Sequence, residues 1–193
     1  DNNFQKLVTI RRWLHQHPEV GFDEHDTSKY CQNIMKDLGF EIHQTEPMKT
    51  GFYCDYGNGN GSTLAVRCDL DALPIQEVNS FDYCSVNPGV SHACGHDAHL
   101  ANILGLATYI IETEQNIPGT VRFLFQPAEE TAPGGAVVMI EGGGIDGVDH
   151  IIGGHILPSL SPMKIGIRYG SMAAAVEQII VCLKGPGGHT SRP

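Results

Sequence analysis

The sequence predicts an α/β fold in which helices cover an open, mostly parallel β-sheet. Helical and strand patterns alternate between residues 97 and 157, which is typical of parallel strands joined by helices. The strand candidates "TVRFLF" (120–125) and "HIIGGHIL" (150–157) are mostly apolar and show no polar alternation. This pattern indicates strands that are buried on both faces, as they are in parallel sheets.

The N-terminal segment is predicted to form two helices. The first ends at "HPEVGF", where proline and glycine interrupt a set of apolar residues at helical spacing: Leu7, Ile10, Trp13 and Leu14. The second runs from Thr27 to Leu38, with Thr27 or Asp26 available as its N-terminal cap and Gly39 just past its end.

Three strands are predicted next, at "FEIHQT", "GFYCDY" and "STLAVRCD". The segment "GNGNG" (57–61) separates the last two and is typical of a β-hairpin turn. A phosphate-binding loop is the alternative, but these glycines lead into a strand rather than into a helix. We therefore predict a hairpin.

The helix over residues 97–113 has the clearest pattern in the chain. Its apolar stripe comprises Leu100, Ile103, Leu104, Ala107, Ile110 and Ile111. A shorter helix is predicted over residues 134–141. Beyond Pro158 the segments "MKIGIRYG" and "AAVEQIIVCLKG" alternate as antiparallel strands do, so a second structural unit is predicted to begin near residue 174.

Composition excludes several classes of function. The 193 residues carry a formal net charge of −10 without a run of lysine or arginine, so no nucleic-acid partner is expected. No apolar stretch approaches the roughly 18 residues of a membrane-spanning helix. The first residues lack the apolar region and cleavage site of a signal peptide, which predicts a cytoplasmic protein. The six cysteines include no C-x-x-C pair and are interpreted as reduced thiols.

The stretch "SHACGHDAHL" (91–100) admits three interpretations: a metal site, a cysteine nucleophile with a neighbouring base, or an ordinary helix start. Cys94 and His96 precede a helix whose first turn is predicted to start at Asp97. In an extended segment alternate side chains point the same way, so the two residues could share one ion. The helix dipole would favour a Cys94 thiolate. As a nucleophile, Cys94 would use His96 as its base. A small buried cysteine is the structural alternative.

Two more polar groups follow predicted strands. Glu129 and Glu130 of "FQPAEET" come just after a strand that a proline ends, and two glycines precede His155 in "IIGGHILP". Because ligands bind at the carboxyl ends of strands in open α/β sheets, we expect these side chains to meet Cys94 and His96 there. Thiolate, imidazole and carboxylate together suit one or two transition-metal ions. One of two adjacent glutamates can bind a metal while the other carries a proton, which indicates hydrolysis.

The segment "RCDLDALP" adds two carboxylates, Asp69 and Asp71, at the end of the third strand. Asp71 is predicted to hydrogen-bond the free ring nitrogen of a ligating histidine, and a strand-end turn is the alternative. His92 and His99 are interpreted as loop and helix-surface residues or as indirect contacts of the site. A cysteine nucleophile would leave the glutamate pair without a role.

Five motifs in this order resemble one known family: "LHQHPEVGFDEHDTS", "RCDLDALP", "HACGHDAHL", "QPAEE" and "GGHILP". The sequence resembles the M20 metallopeptidases, in particular the amidohydrolases that include hippurate hydrolases and plant auxin-conjugate hydrolases. The resemblance implies cleavage of N-acyl amino acids with two divalent metal ions, which could be zinc, manganese, cobalt or nickel. It also implies a zinc-peptidase-like catalytic domain over residues 1–173 and the first strand of an α+β lid domain over 174–193.

The resemblance also implies a role for each site residue. Four side chains would bind the two ions, with the cysteine as the bridging ligand: Cys94, His96, Glu130 and His155. Glu129 would be the general base, and Asp71 would support a ligating histidine. His189, at the start of the lid, would reach the active site of a partner in a homodimer and polarise the scissile carbonyl.

Members of this family are longer than 193 residues and supply a last histidine ligand, together with most of the lid, from later segments. The alternative function is therefore a metal-binding fragment or interaction domain that lacks catalysis.

Overall fold

A computed structural model describes residues 2–47, 50–174, 179–182, 184–188 and 191. The chain divides into two compact units, Asp1–Ile156 and Leu157–Pro193, which are described separately. The domain boundary that the sequence predicts between residues 173 and 174 stays a prediction.

In its described residues, the first unit contains one five-stranded sheet and four helices. Their bounds in chain order are α1 Asn2–Gln16, α2 His25–Asp37, β1 His43–Gln44, β2 Phe52–Gly57, β3 Thr63–Asp69, α3 His96–Glu112, β4 Thr120–Gln126, α4 Gly135–Glu141 and β5 His150–Gly153. The strand order across the sheet is β1-β2-β4-β3-β5. β3 is parallel to both β4 and β5, whereas β2 is antiparallel to β1 and β4. The α/β prediction is confirmed, with an antiparallel edge added to a parallel centre.

The hairpin predicted between β2 and β3 is wrong, because β4 lies between these two strands. The glycines of the connecting turn serve a different purpose, which is to let the segment before β4 pass close by. A Cβ atom on Gly57 would lie 2.1 Å from the carbonyl oxygen of Gly119, and Gly57 has a φ of +139°. The turn is then joined to β4 by a backbone hydrogen bond from Thr120 to Ser62 of 3.1 Å.

Helices cover both faces of this sheet. On one face, α1, α2 and α3 bury an apolar core against the strands. Its largest fully buried members are Phe52, Phe123, Phe125, Leu14, Met35, Leu70, Leu100 and Leu104. On the other face, Met139 of α4 packs against Ala65 and Leu124. Full burial of each such large side chain stabilises the fold by about 1.5–3 kcal/mol.

The start of α2 differs from the prediction. The helix begins at His25, and neither Asp26 nor Thr27 caps it with a side chain. Instead the carboxylate of Glu19 accepts the backbone N–H groups of Thr27, at 2.7 Å, and of Asp26, at 3.1 Å. Gly39 follows the helix with a φ of +91°, as a C-terminal glycine does.

The second unit contains neither helix nor strand in its described residues, so the strand predicted at "MKIGIRYG" is wrong. Strands need a hydrogen-bonded neighbour, and the described part of this unit offers none. The strand predicted at "AAVEQIIVCLKG" lies partly outside the described residues. Across the described chain, the helices are too short or too polar to span a bilayer.

Candidate functional site

Three polar segments leave the sheet at one edge. β3, β4 and β5 end there together, since Asp69 of β3 lies opposite Gln126 of β4 and Arg67 lies opposite Gly153 of β5. The chain after β3 carries the second aspartate of "RCDLDALP", the chain after β4 carries the glutamate pair, and the chain after β5 carries His155. The carboxyl edge of the parallel strands therefore gathers the acidic and imidazole groups.

A fourth segment reaches the same edge through a short antiparallel bridge. Leu73 and Ser91 exchange two backbone hydrogen bonds of 3.0 Å, which bring residues 91–96 back beside the end of β3. Gly95 then adopts a left-handed conformation, with a φ of +85°, and α3 begins at His96. The predicted extended arrangement of Cys94 and His96 is therefore wrong, because the left-handed glycine and the helix start place their side chains.

Seven side chains at this edge form three groups in which the potential ligand atoms all lie within 4.8 Å of one another. His96 belongs to every group. The groups are Cys94–His96–His155, His96–Glu129–Glu130 and Asp69–His96–His99. The structure thus brings together the four side chains predicted as metal ligands and the predicted base.

The His96 ring is buried and held on one side only. Its Nδ1 hydrogen-bonds to the backbone carbonyl oxygen of Asp71 at 2.8 Å. Its Nε2 is buried and has no hydrogen-bond partner among the described residues. That nitrogen lies 4.0 Å from Oε2 of Glu129 and 3.8 Å from Oε1 of Glu130. A fixed tautomer with its second nitrogen turned towards carboxylates suits a metal ligand.

The charges around His96 raise its pKa. Burial alone would lower the pKa of this imidazole, but hydrogen bonding to Asp71 and the negative charges of Asp69 and Asp71 hold it above its ordinary value. A divalent cation binds the unprotonated imidazole nitrogen, so an ion at Nε2 would compete with that proton.

Cys94 lies in one group with His96 and His155. Its Sγ is 3.4 Å from Nε2 of His155, whose Nδ1 hydrogen-bonds to the carbonyl oxygen of Ile156 at 2.8 Å. Burial, a hydrogen bond with Glu130 and the surrounding carboxylates raise the pKa of the Cys94 thiol to about 12. These effects therefore outweigh the helix dipole, which was expected to favour the Cys94 thiolate. A raised pKa opposes the cysteine nucleophile, whereas a bound cation would offset it.

Asp71 contacts His96 mainly through its backbone. Its carboxylate Oδ1 lies 3.4 Å from the histidine Nδ1, farther than its carbonyl oxygen. Oδ2 accepts the backbone N–H of Glu130 at 2.9 Å. Burial alone would raise the pKa of Asp71, but His96 and the N–H groups of Glu130 and Glu129 lower it below its ordinary value. The carboxylate of Asp71 therefore fixes the glutamate turn, and its backbone carbonyl fixes the histidine.

A second buried carboxylate, which the sequence reasoning missed, holds the same turn. Oε1 of Glu24 accepts the backbone N–H of Ala128 at 2.6 Å, and Ala128 has a left-handed φ of +45°. Glu24 is fully buried, and burial raises its pKa. The only available signal was its place in the motif "LHQHPEVGFDEHDTS", because its contact spans more than a hundred residues.

His92 and His99 are buried, so they are not loop- or helix-surface residues. Through its two ring nitrogens, His99 contacts Asp69 at the end of β3 and Ile156 in the segment after β5. Both ring nitrogens of His92 lack a hydrogen-bond partner within the described residues, and burial lowers its pKa to about 4.

Asp97 does more than start a helix. Its Oδ2 accepts hydrogen bonds from Nε of Arg11, at 2.8 Å, and from Nδ1 of His15, at 2.7 Å. The other nitrogen of His15 lies 3.0 Å from Glu77. These contacts join α3 to α1 at the residue that follows His96. His189, the predicted carbonyl-polarising residue, lies outside the described residues.

Comparison with known proteins places these residues in a family context. A sequence profile described as peptidase family M20/M25/M40 matches residues 65–185. An N-acyl-L-amino acid amidohydrolase of Geobacillus stearothermophilus is 44% identical over 188 residues, covering 97% of this chain and 50% of the relative. An N-acetyl-L-cysteine deacetylase of Bacillus subtilis is 40% identical over 190 residues, covering 98% of this chain and 45% of the relative.

A solved structure agrees with the fold. The Bacillus subtilis YXEP protein, described as a dinuclear metal binding peptidase from the M20 family, superposes with a TM-score of 0.78 and 41% identity. The match covers 82% of this chain and 44% of that protein. The chain thus spans about half the length of the relatives it matches.

Proposed function

Because the chain belongs to peptidase family M20/M25/M40, we propose that it supplies the metal centre of an amidohydrolase that cleaves N-acyl amino acids. The observation that carries this proposal is the buried Nε2 of His96, which has no hydrogen-bond partner in the described chain and faces two carboxylates. The names of two relatives, an N-acyl amino acid amidohydrolase and an N-acetylcysteine deacetylase, support the substrate class.

Four side chains would hold two divalent ions: Cys94, His96, Glu130 and His155. Sulfur, nitrogen and oxygen donors together suit zinc and also admit manganese, cobalt and nickel. When bound, the ions would polarise the scissile carbonyl and make attacking water more acidic.

Glu129 is the general base in this proposal. It is adjacent to the proposed ligand Glu130, and its carboxylate lies 4.0 Å from the His96 ring. Glu129 takes a proton from water as the new C–O bond forms, and gives that proton to the amine nitrogen as the C–N bond breaks. Asp71 keeps the two glutamates in place through the N–H of Glu130. His189 would polarise the carbonyl, and a homodimer formed through the lid would bring it to the partner's site.

A metal-binding domain without turnover is the alternative. The observation that favours it is that the chain spans only 50% of its amidohydrolase relative. Elemental analysis combined with hydrolysis assays on N-acyl amino acids separates the two functions.

The central test is Glu129→Gln in the full-length gene product that carries this chain. We expect the variant to bind both ions and to lose about 10²–10⁴-fold in kcat, because only proton transfer is removed. Glu141→Gln, at the exposed end of α4, is the matched control and should keep parent activity. Parent-like turnover of Glu129→Gln would show that another group is the base. A parent protein that binds no divalent metal would overturn the whole proposal.

A further inference from the structure

The segment that carries His155 is weakly held by its own strand. β5 contains only four residues, all exposed, and pairs with β3 alone at the edge of the described sheet. The strand ends at Gly153 and Gly154 follows it, and neither glycine takes a positive φ or sits in a tight contact. Exposed glycines leave the backbone many conformations, so strand pairing alone does not fix the direction of the His155 ring.

Two hydrogen bonds at Ile156 provide the missing constraint. Its carbonyl oxygen accepts Nδ1–H of His155 at 2.8 Å, which turns Nε2 of that ring towards Cys94. Its backbone N–H donates to Nε2 of His99 at 3.0 Å. One residue therefore orients the proposed ligand and is itself anchored to α3.

His99 can accept that hydrogen bond only in one tautomer. The backbone N–H of Ile156 is always a donor, so Nε2 of His99 must be unprotonated. The ring proton then lies on Nδ1, which is 2.8 Å from Oδ1 of Asp69. The second oxygen of Asp69 is bound to Nη1 of Arg67 at 2.6 Å. Asp69 thus selects the tautomer of His99 that holds Ile156.

We propose that His99 is a positioning residue that places the His155 imidazole through the backbone N–H of Ile156. This inference rests on the proposed function, since it assumes that His155 binds a metal ion. His99 does not serve as a ligand itself, although it lies within ligand distance of His96 and Asp69, because both of its ring nitrogens are already used.

Two substitutions of His99 separate its two contacts. The oxygen of His99→Gln can replace Nε2 as the acceptor for Ile156, whereas the amide of His99→Asn can replace Nδ1 as the donor to Asp69. We expect His99→Asn to lower the affinity for one of the two ions by about 10–100-fold, as loss of a residue that orients a ligand does. His99→Gln should lose only a few-fold. Titration of the metal-free full-length protein with Co²⁺, followed by its thiolate and ligand-field absorption, measures both affinities without using activity.

Asp69→Asn is a second variant that leaves His99 intact. Arg67 would hold the amide oxygen of the new side chain, so its NH₂ group would face Nδ1 of His99 and favour the wrong tautomer. The same Co²⁺ site should weaken as it does in His99→Asn. His150→Asn, on the exposed start of β5, is the control and should bind both ions as the parent does.

The reference variant His155→Ala separates failure of the proposed function from failure of the positioning role of His99. If the parent binds no ion, or if His155→Ala leaves Co²⁺ binding unchanged, the proposed function fails. If His155→Ala lowers the affinity for one ion while His99→Asn and Asp69→Asn leave that affinity unchanged, the positioning role is wrong. Equal losses in His99→Asn and His99→Gln would also overturn it, because the contact with Ile156 would then not be the one that matters.

Discussion

The two segments that bring ligands from β4 and β5 are held in opposite ways. The turn after β4 is fixed by buried groups on several sides, including Glu24, Asp71 and the backbone around Gly135. The segment after β5 is exposed, and the hydrogen bond from the Ile156 backbone N–H to His99 ties its backbone to α3. Both segments present one proposed ligand to the same site.

This difference indicates how the proposed site tolerates change. A left-handed alanine is costly, and Ala128 keeps that conformation only because its surroundings hold it. The glutamate turn is therefore rigid before any ligand binds, and damage to its supports costs folding free energy. The His155 segment contributes little to the free energy of folding. Substitutions there should therefore change metal affinity and leave folding nearly unchanged.

The largest loss of stability is expected from Gly135→Ala, which tests the rigid turn. A Cβ atom on Gly135 would lie 1.9 Å from the carbonyl oxygen of Pro127, a backbone atom that cannot rotate away. The turn must shift, and we expect a loss of about 3 kcal/mol in the free energy of unfolding. Urea denaturation of the metal-free protein measures it. Parent-like stability would show that the turn is freer than its contacts indicate.

A smaller loss is expected from Glu24→Leu, which leaves the N–H of Ala128 buried without an acceptor. Such a group costs about 1–3 kcal/mol. Glu24→Gln keeps an oxygen for that N–H and is the matched control. An equal loss of stability in both variants would mean that the hydrogen bond to Ala128 is not what holds the turn.

The stability of the parent and that of Glu24→Gln should depend differently on pH. Burial raises the pKa of Glu24, so the folded protein favours the protonated acid. Its contribution is fully present below the pKa of glutamate in the unfolded chain and is lost as the pH rises through the folded-state value. The parent should therefore lose stability relative to Glu24→Gln over that rise in pH.

Local patterns in the sequence predicted the elements that build the site edge. The apolar stripe of α3 and the continuous apolar segments of β4 and β5 identified three elements. Burial on both faces was correct for β4 and wrong for β5, whose four residues are exposed. The rule on carboxyl ends of parallel strands predicted the edge where the proposed ligands meet. Long-range contacts could not be predicted in this way. The insertion of β4 beside Gly57 depends on strand pairing across the chain, and a turn sequence does not specify that pairing.

The burial of polar residues was also not predicted from the sequence. Glu24 and His99 resemble surface residues in the sequence, because their burial depends on distant partners at Ala128, Asp69 and Ile156. Their positions within the motifs "LHQHPEVGFDEHDTS" and "HACGHDAHL" were the available signal of their importance.

The smallest effect on folding is expected from Gly154→Ala in the segment after β5. A Cβ atom on Gly154 would meet no atom of the described residues within 4 Å, and its φ is not positive. Alanine fits there without strain and reduces the freedom of the unfolded chain, so stability should change by no more than about 0.5 kcal/mol. Urea denaturation beside Gly135→Ala makes the comparison direct, because both variants add one methyl group next to a proposed ligand segment. If Gly154→Ala were as destabilising as Gly135→Ala, the two segments would be equally constrained, and the weak hold on His155 would have to be abandoned.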